Sequence, residues 1–326
     1  MKNHLDWLDK FHYNNINKVY LYGINQVFIE ISKNKFISYH RIAKHLNLEE
    51  RSFYYWINGK RPIPLSQFMI VLDYFKYNKR KAYGLIEKHL EGIAMGSGHR
   101  NKIITLPFTL TTDLAYFIGY LLGDGCLMTN KWTVSICDEY FEQMDILKNL
   151  VFNLFKIKGK IYKGKGKYIL DIYSKALWLF LYHIFEVPIG IKHFNLKVPK
   201  IIENANRNIQ LQFIRGFVDA DGGICRIEDY NELPKWFVNC PSLEVSQKSK
   251  PILEYIQSKL FEIGIKGNLY FHKQNKAYRL IITGKDKLLK CKKISIFTHP
   301  IKKKRLEGIC LYFAPVAQPG GACPWY

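Results

Sequence analysis

Two aspartates end two similar apolar stretches, and their spacing indicates paired carboxylate chemistry. Asp124 lies near the end of residues 117–125, and Asp221 lies near the end of residues 214–222. Small residues recur four positions apart in each stretch, which predicts a helix with a smooth stripe for close packing against a second helix. These small residues are Gly119 with Gly123 and Gly216 with Ala220. If the stripes pack together, the two carboxylates meet and repel, so a divalent cation between them is predicted.

Both stretches resemble the defining motif of the LAGLIDADG homing endonucleases, and the two-copy chain resembles the single-chain members of that family. The resemblance implies that Asp124 and Asp221 are metal-binding catalytic acids, with the main-chain carbonyls of Gly123 and Ala220 as further metal ligands. Two or three Mg²⁺ ions are implied, for which Mn²⁺ can substitute. Buried core helices whose acids only cap or form salt bridges are the alternative, but two copies at a domain-sized separation favour the family.

The resemblance also implies a residue that orders the attacking water near each metal. Gln247 and Lys248, at the predicted end of a strand in the second half, match that position, and Lys248 is the candidate for charge stabilisation. A surface lysine at a helix start explains Lys248 equally well. The first half has residues 137–138, Cys and Asp, at this position, so equal cleavage of both strands is in doubt. Leu122 replaces the acid found at Asp219, and that inner acid is expected to be structural.

Charge is the strongest compositional feature of the 326-residue chain. Lys and Arg number 49 against 27 Asp and Glu, which gives a formal net charge of +22. Such an excess predicts a polyanionic partner, and nucleic acid fits through phosphate neutralisation and counterion release. An anionic membrane surface is the competing partner, but no long apolar span or basic amphipathic anchor is present in the sequence.

The number and spacing of the cysteines, and the residues after Met1, indicate the cellular location of the protein. The seven cysteines are odd in number, scattered and without CxxC spacing, which favours a reduced protein without structural zinc. Met1 precedes a polar segment, so no signal peptide is expected. We therefore expect an intracellular, cytoplasmic protein, or an organellar one if the host is eukaryotic.

Residues 1–98 are predicted to form an all-α, helix-turn-helix-like DNA-binding domain that ends in a glycine-rich linker at residues 92–98. Glu50–Ile57 and Leu65–Phe75 are predicted helices, and the first of them resembles a recognition helix. A plain helical bundle with a basic surface is the alternative. The residues of this domain expected to contact DNA are Arg51, Tyr54, Lys60 and Arg61.

From residue 99 the chain contains one unit twice, at residues 99–195 and at residues 196–326 with a C-terminal tail. Each motif is followed by two strands, a helix, two strands and a helix, so the predicted fold is α+β with the order αββαββα. Each half should contain a four-stranded antiparallel sheet with one face open. The resemblance implies a pseudo-twofold saddle that binds DNA. Alternate lysines in the first half place several on one face of a hairpin; the predicted DNA contacts are Lys158, Lys160, Lys163, Lys165 and Lys167.

The resemblance thus implies a monomeric, Mg²⁺-dependent, site-specific endodeoxyribonuclease that leaves short 3′ overhangs at a long, asymmetric double-stranded DNA target. The alternative is a catalytically inactive DNA-binding regulator, or an RNA-binding intron splicing cofactor, on the same fold. Intron RNA is therefore a further candidate partner. Retention of both acids argues against the inactive alternative, since a binding protein does not need two carboxylates that repel a phosphate backbone.

Overall fold

The part of the chain covered by the computed structural model divides into two compact units. The described residues are 4–14, 16, 18–33, 39–45, 47–96, 102–192, 196–224 and 241–312. The first unit comprises Met1–Phe117, Gly125–Ile191 and Pro199–Ile209, and the second comprises Ile118–Asp124, Lys192–Val198 and Gln210–Tyr326. The second unit therefore includes the ends of both motif stretches.

The N-terminal part of the first unit is mixed in secondary structure, so the predicted all-α domain is wrong. Its described elements are α1 (Trp7–Tyr13), β1 (Val19–Tyr22), α2 (Asn25–Lys33), α3 (Tyr39–His45), α4 (Glu50–Ile57), β2 (Ile63–Pro64), α5 (Leu65–Tyr74), α6 (Lys79–His89) and β3 (Gly92–Met95). The strands form an antiparallel sheet in the order β2-β1-β3. Because β1 and β3 are each four residues long and pair across most of this region, neither is evident from its own sequence.

The predicted linker at residues 92–98 is also wrong where the structure describes it, because Gly92–Met95 is strand β3. Residues 97 and 98 lie outside the described part. The main chain of Ile93 exchanges two hydrogen bonds with Ile104, at 2.7 and 2.9 Å. A Cβ atom at Gly92 would lie 2.6 Å from Cγ2 of Ile103. Glycine is therefore needed at position 92 for the close approach of another chain segment.

The repeated αββαββα order is confirmed, and so is the α+β class. The first copy contains α7 (Thr112–Asp124), β4 (Gly125–Leu127), β5 (Thr133–Asp138), α8 (Phe141–Phe155), β6 (Lys160–Lys163), β7 (Tyr168–Tyr173) and α9 (Lys175–Phe185). After α10 (Lys200–Glu203), the second contains α11 (Arg207–Asp221), β8 (Gly222–Ile224), β9 (Ser242–Gln247), α12 (Lys250–Phe261), β10 (Asn268–His272), β11 (Ala277–Thr283) and α13 (Lys285–Lys293). A further helix, α14 (Pro300–Tyr312), was not predicted.

The two sheets have the same antiparallel topology, in the orders β4-β5-β7-β6 and β8-β9-β11-β10. In each sheet, alternate residues of the central strands are buried and apolar, as expected when helices cover one face. Leu170 and Ile172 are fully buried in the first sheet, as are Leu280 and Ile282 in the second.

Glycine permits close contact between α7 and α11 within the second unit. A Cβ atom at Gly119 would overlap the carbonyl oxygen of Phe213 and lie 2.9 Å from the nitrogen of Phe217. One turn later, a Cβ atom at Gly123 would overlap the methyl group of Ala220. The two helices are therefore in backbone contact along the predicted small-residue stripe. No helix in the described part of the chain is long and apolar enough to cross a membrane.

Candidate functional site

The close packing of α7 and α11 brings two carboxylates together. Asp124 is the last residue of α7 and Asp221 is the last residue of α11. Both side chains are half-buried. The Oδ2 atom of Asp221 would lie 3.5 Å from a Cβ atom at Gly123, the residue before Asp124. The two acids identified from the sequence therefore share one site at the end of the helix contact.

The carboxyl group of Asp221 is held in an environment that disfavours its charge. Burial raises its pKa from 3.8 to about 7, and the neighbouring Asp124 carboxylate contributes to the same shift. Lys192, a hydrogen bond from Gln247, and Lys302 act in the opposite direction and lower the pKa. Near neutral pH, this carboxyl is thus poised between its protonated and charged forms.

Gln247 is the residue that orients Asp221. It ends strand β9, and its Nε2 atom donates a hydrogen bond of 2.7 Å to Oδ2 of Asp221. Its Oε1 atom accepts a hydrogen bond of 2.8 Å from the main-chain nitrogen of Lys248. The amide group is therefore fixed at both ends. The side chain of Lys248 is exposed and lines a separate cleft with Phe271 and Tyr278.

A lysine that sequence reasoning missed lies beside Asp221 instead. The Nζ atom of Lys302, in α14, donates hydrogen bonds to the main-chain oxygens of Asp219 and Ala220, at 2.5 and 2.8 Å. In the sequence it belongs to a basic run and has no distinguishing local pattern. Its positive charge favours the ionised form of Asp221.

The buried inner acid Asp219 positions the helix that carries Lys302. Its carboxylate accepts hydrogen bonds from the main-chain nitrogens of Thr298 and His299, each at 3.0 Å, and from the hydroxyl of Thr298. These donors directly precede α14, so the Asp219 carboxylate fixes the position at which this helix begins. The signal in the sequence was the acid itself, because a carboxylate on an apolar helix face requires several donors.

The corresponding surroundings in the first copy are different. Leu122, in place of the inner acid, is buried. Asp138 ends β5, and its carboxylate accepts a hydrogen bond of 2.7 Å from the main-chain nitrogen of Tyr140. This turn directly precedes α8, which begins at Phe141. The sulfur of Cys137 accepts a hydrogen bond of 3.4 Å from Lys167.

The donor atoms around the two acids fit a hard divalent cation. Asp124 and Asp221 carry carboxylate oxygens, which are ligands that Mg²⁺ and Ca²⁺ prefer. The main-chain oxygen of Ala220, a further predicted ligand, already accepts the hydrogen bond from Lys302. Within the described residues no group of three or more His, Cys, Asp or Glu side chains could hold a metal. A cation at this site would therefore take its remaining ligands from water or a bound substrate.

The five predicted hairpin lysines are exposed, but they do not share one face. Lys160 pairs with Asp171 and Lys163 pairs with Tyr168, three positions apart along the strand, so their side chains lie on opposite faces. Lys165 and Lys167 lie in the β6–β7 turn, and Lys158 precedes β6. The prediction that several lysines share one face therefore fails for the two lysines of β6, because the two series of alternate lysines are offset by an odd number of residues.

The predicted DNA contacts of the N-terminal part lie on α4 and in the residues that follow it. Phe53 and Trp56 lie on its buried side and pack against Phe28, with ring centroids 5.0 and 6.1 Å apart. The predicted DNA-contacting residues, all exposed, are Arg51, Tyr54, Lys60 and Arg61. Tyr55 organises two of them.

Tyr55 binds two arginines by different interactions. The Nε atom of Arg51 donates a hydrogen bond of 2.8 Å to its hydroxyl. The guanidinium of Arg61 lies 4.8 Å from the centre of its ring, a cation–π geometry. The two cations are therefore held over a common aromatic support on the exposed side of α4.

Comparison with known proteins identifies a shared domain in the second copy. Residues 208–294 match the family model described as a LAGLIDADG-like domain. The homing endonuclease I-ApeI of Aeropyrum pernix is 24% identical over 175 residues, which cover 52% of this chain and 74% of that protein. The crystal structure described as I-DmoI in complex with DNA and Ca is 20% identical, with a TM-score of 0.43, and the match covers 60% of this chain and 97% of that one.

Longer proteins also contain a similar segment. The glutamine–fructose-6-phosphate aminotransferase of Methanocaldococcus jannaschii is 30% identical over 219 residues, which cover 65% of this chain and 18% of that protein. The chain thus spans less than a fifth of the length of this relative. The similarity concerns a segment of the longer protein.

Replacing Asp124 with asparagine should lower the pKa of Asp221, because the variant loses a negative charge that raises it. Carboxyl carbon NMR titration, with divalent cations removed, should show the Asp221 group titrating near pH 7 in the unaltered protein and at lower pH in the variant. Asp113→Asn, in the first turn of the same helix, is the matched control. An identical Asp221 titration in all three proteins would contradict the pairing of the two acids.

Proposed function

The chain belongs to the LAGLIDADG family, and we propose that it is a metal-dependent, site-specific endonuclease of double-stranded DNA. The observation that carries this proposal is the juxtaposition of Asp124 and Asp221 at the end of a backbone-to-backbone helix contact. Two crowded carboxylates weaken the binding of a phosphate backbone unless a cation lies between them. A role in catalysis therefore explains the two carboxylates better than DNA binding alone does.

The relatives support the same proposal to different degrees. The similarity to I-ApeI, which is named a homing endonuclease, extends over most of that protein. The similarity to the aminotransferase covers only 18% of its length, so it gives no support for aminotransferase activity.

Each polar residue of the site has a defined task in phosphodiester hydrolysis. Asp124 and Asp221 would hold the cation, together with the carbonyl of Gly123, and a bound cation would supply Lewis-acid polarisation of the phosphate and acidify water. We propose two or three Mg²⁺ ions, for which Mn²⁺ substitutes. Gln247 keeps the Asp221 carboxylate oriented through its hydrogen bond.

Lys302 provides fixed positive charge where negative charge develops. Its ammonium group is held by two main-chain carbonyls beside Asp221, so no reorganisation is needed during the reaction. Water adds to the phosphorus, the bond from phosphorus to the 3′ oxygen breaks, and that oxygen takes up a proton. We assign to Lys302 the charge stabilisation expected of Lys248 from the sequence.

Contacts with DNA are proposed at two further surfaces. The net charge of +22 supports a polyanionic partner. The proposed contact in residues 1–98 is formed by the exposed cations on α4 and directly after it, and the proposed contact in residues 99–195 is formed by the exposed lysines around β6. We further propose a monomer that recognises a long asymmetric target and leaves short 3′ overhangs.

Cleavage of a genomic-fragment library, with break ends mapped by sequencing, tests the proposed function. The unaltered protein with Mg²⁺ should produce discrete double-strand breaks with staggered ends, and a chelator should abolish them. Asp221→Asn and Asp124→Asn should each reduce the rate by about a hundredfold or more, because each removes a metal ligand. Salt-sensitive DNA binding without breaks, from all three proteins alike, would leave a DNA-binding protein and refute the endonuclease.

Lys302→Ala should lower the single-turnover cleavage rate at saturating DNA by about a hundredfold. It should also move the acidic limb of the pH–rate profile to higher pH, because Lys302 lowers the pKa of Asp221 and its removal raises that pKa. Lys303→Ala removes the same charge from the next, exposed residue and should do neither. Equal effects of both variants would contradict a specific role of Lys302 and indicate an effect of general surface charge.

Arg51→Ala should weaken DNA binding and reduce the slope of log affinity against log salt by about 0.9 if the guanidinium neutralises one phosphate. Lys81→Ala removes an exposed charge from a different helix, α6, and should leave the slope unchanged. Binding titrations at several salt concentrations provide the measurement. The same salt slope for the Arg51 variant and the unaltered protein would contradict the proposed contact between α4 and DNA.

A further inference from the structure

A cleft with a basic rim and an aromatic wall lies next to the Asp221 site, within the second unit. Its lining residues used below are Lys248, Lys250, Lys273, Lys276, Phe271 and Tyr278. Lys248 follows directly on Gln247, the residue that holds Asp221. The cleft and the candidate catalytic site therefore meet at the end of strand β9.

The aromatic wall results from the register of three strands. Gln247 of β9 pairs with Tyr278 of β11, which pairs with Phe271 of β10, so the three side chains form one row on one face of the sheet. The next row on this face contains Val245 and Leu280, which are fully buried. The aromatic row thus lies on the helix-covered face, at its uncovered end.

Both rings remain accessible although they belong to the core-facing side. The side chain of Phe271 is 52% exposed, and its ring centroid lies 4.9 Å from that of Tyr278. Such an exposed aromatic pair has an apolar surface that a flat ring can cover.

The rim of the cleft is strongly cationic. Lys273 and Lys276 flank the β10–β11 turn, Lys248 follows β9, and Lys250 begins α12. Glu254 forms an ion pair of 2.7 Å with Lys250. Among the described residues, no ion pair involves any of the other three lysines, so the positive charge of the rim exceeds its negative charge.

We propose that this cleft binds a single strand of nucleic acid, with backbone phosphates at the lysines and an unpaired base against Phe271 and Tyr278. Lysines alone suit any phosphate backbone, but the bases of a duplex are stacked and do not cover exposed rings. Cationic rims with accessible aromatic rings are the combination that binds unpaired strands without a requirement for sequence.

The source of the strand follows from the position of the cleft. A staggered double-strand cut produces unpaired ends at the catalytic site, and Gln247 connects that site to the cleft. We therefore assign the strand as the overhang of the cleaved product. This assignment rests on the proposed endonuclease function, whereas single-strand binding itself does not.

The test compares two neighbouring aromatic residues of β10. Phe271 and Tyr270 are 52% and 54% exposed, and consecutive strand residues point to opposite faces. Fluorescence anisotropy of a labelled single-stranded oligodeoxynucleotide, with the full chain and without divalent cations, should show about tenfold weaker binding for Phe271→Ala. Tyr270→Ala should bind this probe as the unaltered protein does. Thermal unfolding of both variants checks that each is folded.

The lysines provide the second arm of the test. Lys273→Ala and Lys276→Ala should each reduce the salt slope of single-strand binding by about 0.7. Weaker binding in these variants with no effect of Phe271→Ala would mean a site for phosphates only, and it would overturn the proposal. Equal losses for Phe271→Ala and Tyr270→Ala would overturn it as well.

The result separates the cleft from the proposed enzyme. Single-strand binding that depends on Phe271 in a protein that cuts no DNA would refute the endonuclease and leave the cleft established as a binding site. Cleavage without any contribution of Phe271 to single-strand binding would refute the cleft alone. A duplex of the same length serves as the competing probe, and preferential duplex binding that depends on Phe271 would also refute the proposal.

Discussion

The contact between the backbones of α7 and α11 is the constraint on which the candidate site depends. At Gly119 there is no space for even a methyl group, because the carbonyl oxygen of Phe213 occupies it. Added atoms in a well-packed helix interface typically cost about 1 to 3 kcal/mol, since the backbones must move apart. The same movement would separate Asp124 from Asp221. Helix packing and the geometry of the carboxylate pair are thus one requirement on the sequence.

The carboxylate pair is costly to the apo protein, and the surrounding residues reduce that cost only in part. Since the folded-state pKa of Asp221 is raised above its ordinary value of 3.8, the folded protein binds the extra proton between about pH 4 and 7. Stability therefore falls as the pH rises through this range, because the folded state must take up a proton that the unfolded state has lost, or carry an unfavourable charge. A divalent cation competes with that proton, so its affinity should increase with pH in the same range.

Local patterns in the sequence were sufficient to predict most of the helices and strands of the two copies. The boundaries of α4 agree with the predicted helix, and the order of strands and helices after each motif is as predicted. The pair of acids was also predictable, because each closes a helix with small residues at positions four apart. In these cases the determining interactions lie within a few turns of one element or are repeated in both copies.

The features that were missed depend on partners distant in the sequence. Strand β3 is defined by pairing with β1, and the position of Lys302 is defined by hydrogen bonds to residues about eighty positions earlier. The faces of the hairpin lysines depend on strand register, where a shift of one residue reverses every side chain. Composition and periodicity do not contain this information. The one useful clue was Asp219, whose burial required donors from elsewhere.

Asp219 also explains why the two acids of the site work in different surroundings. Its carboxylate holds the residues before α14, and α14 carries Lys302 to the main chain beside Asp221. Leu122 fills the equivalent position in the first copy with buried apolar surface and cannot accept hydrogen bonds from an incoming helix. The difference between Asp219 and Leu122 at one position of the repeated motif therefore determines whether a helix distant in the sequence is bound. In the described residues, the Asp219 contacts thus place the Lys302 ammonium beside Asp221, whereas Leu122 gives the first copy no carboxylate to bind a corresponding helix.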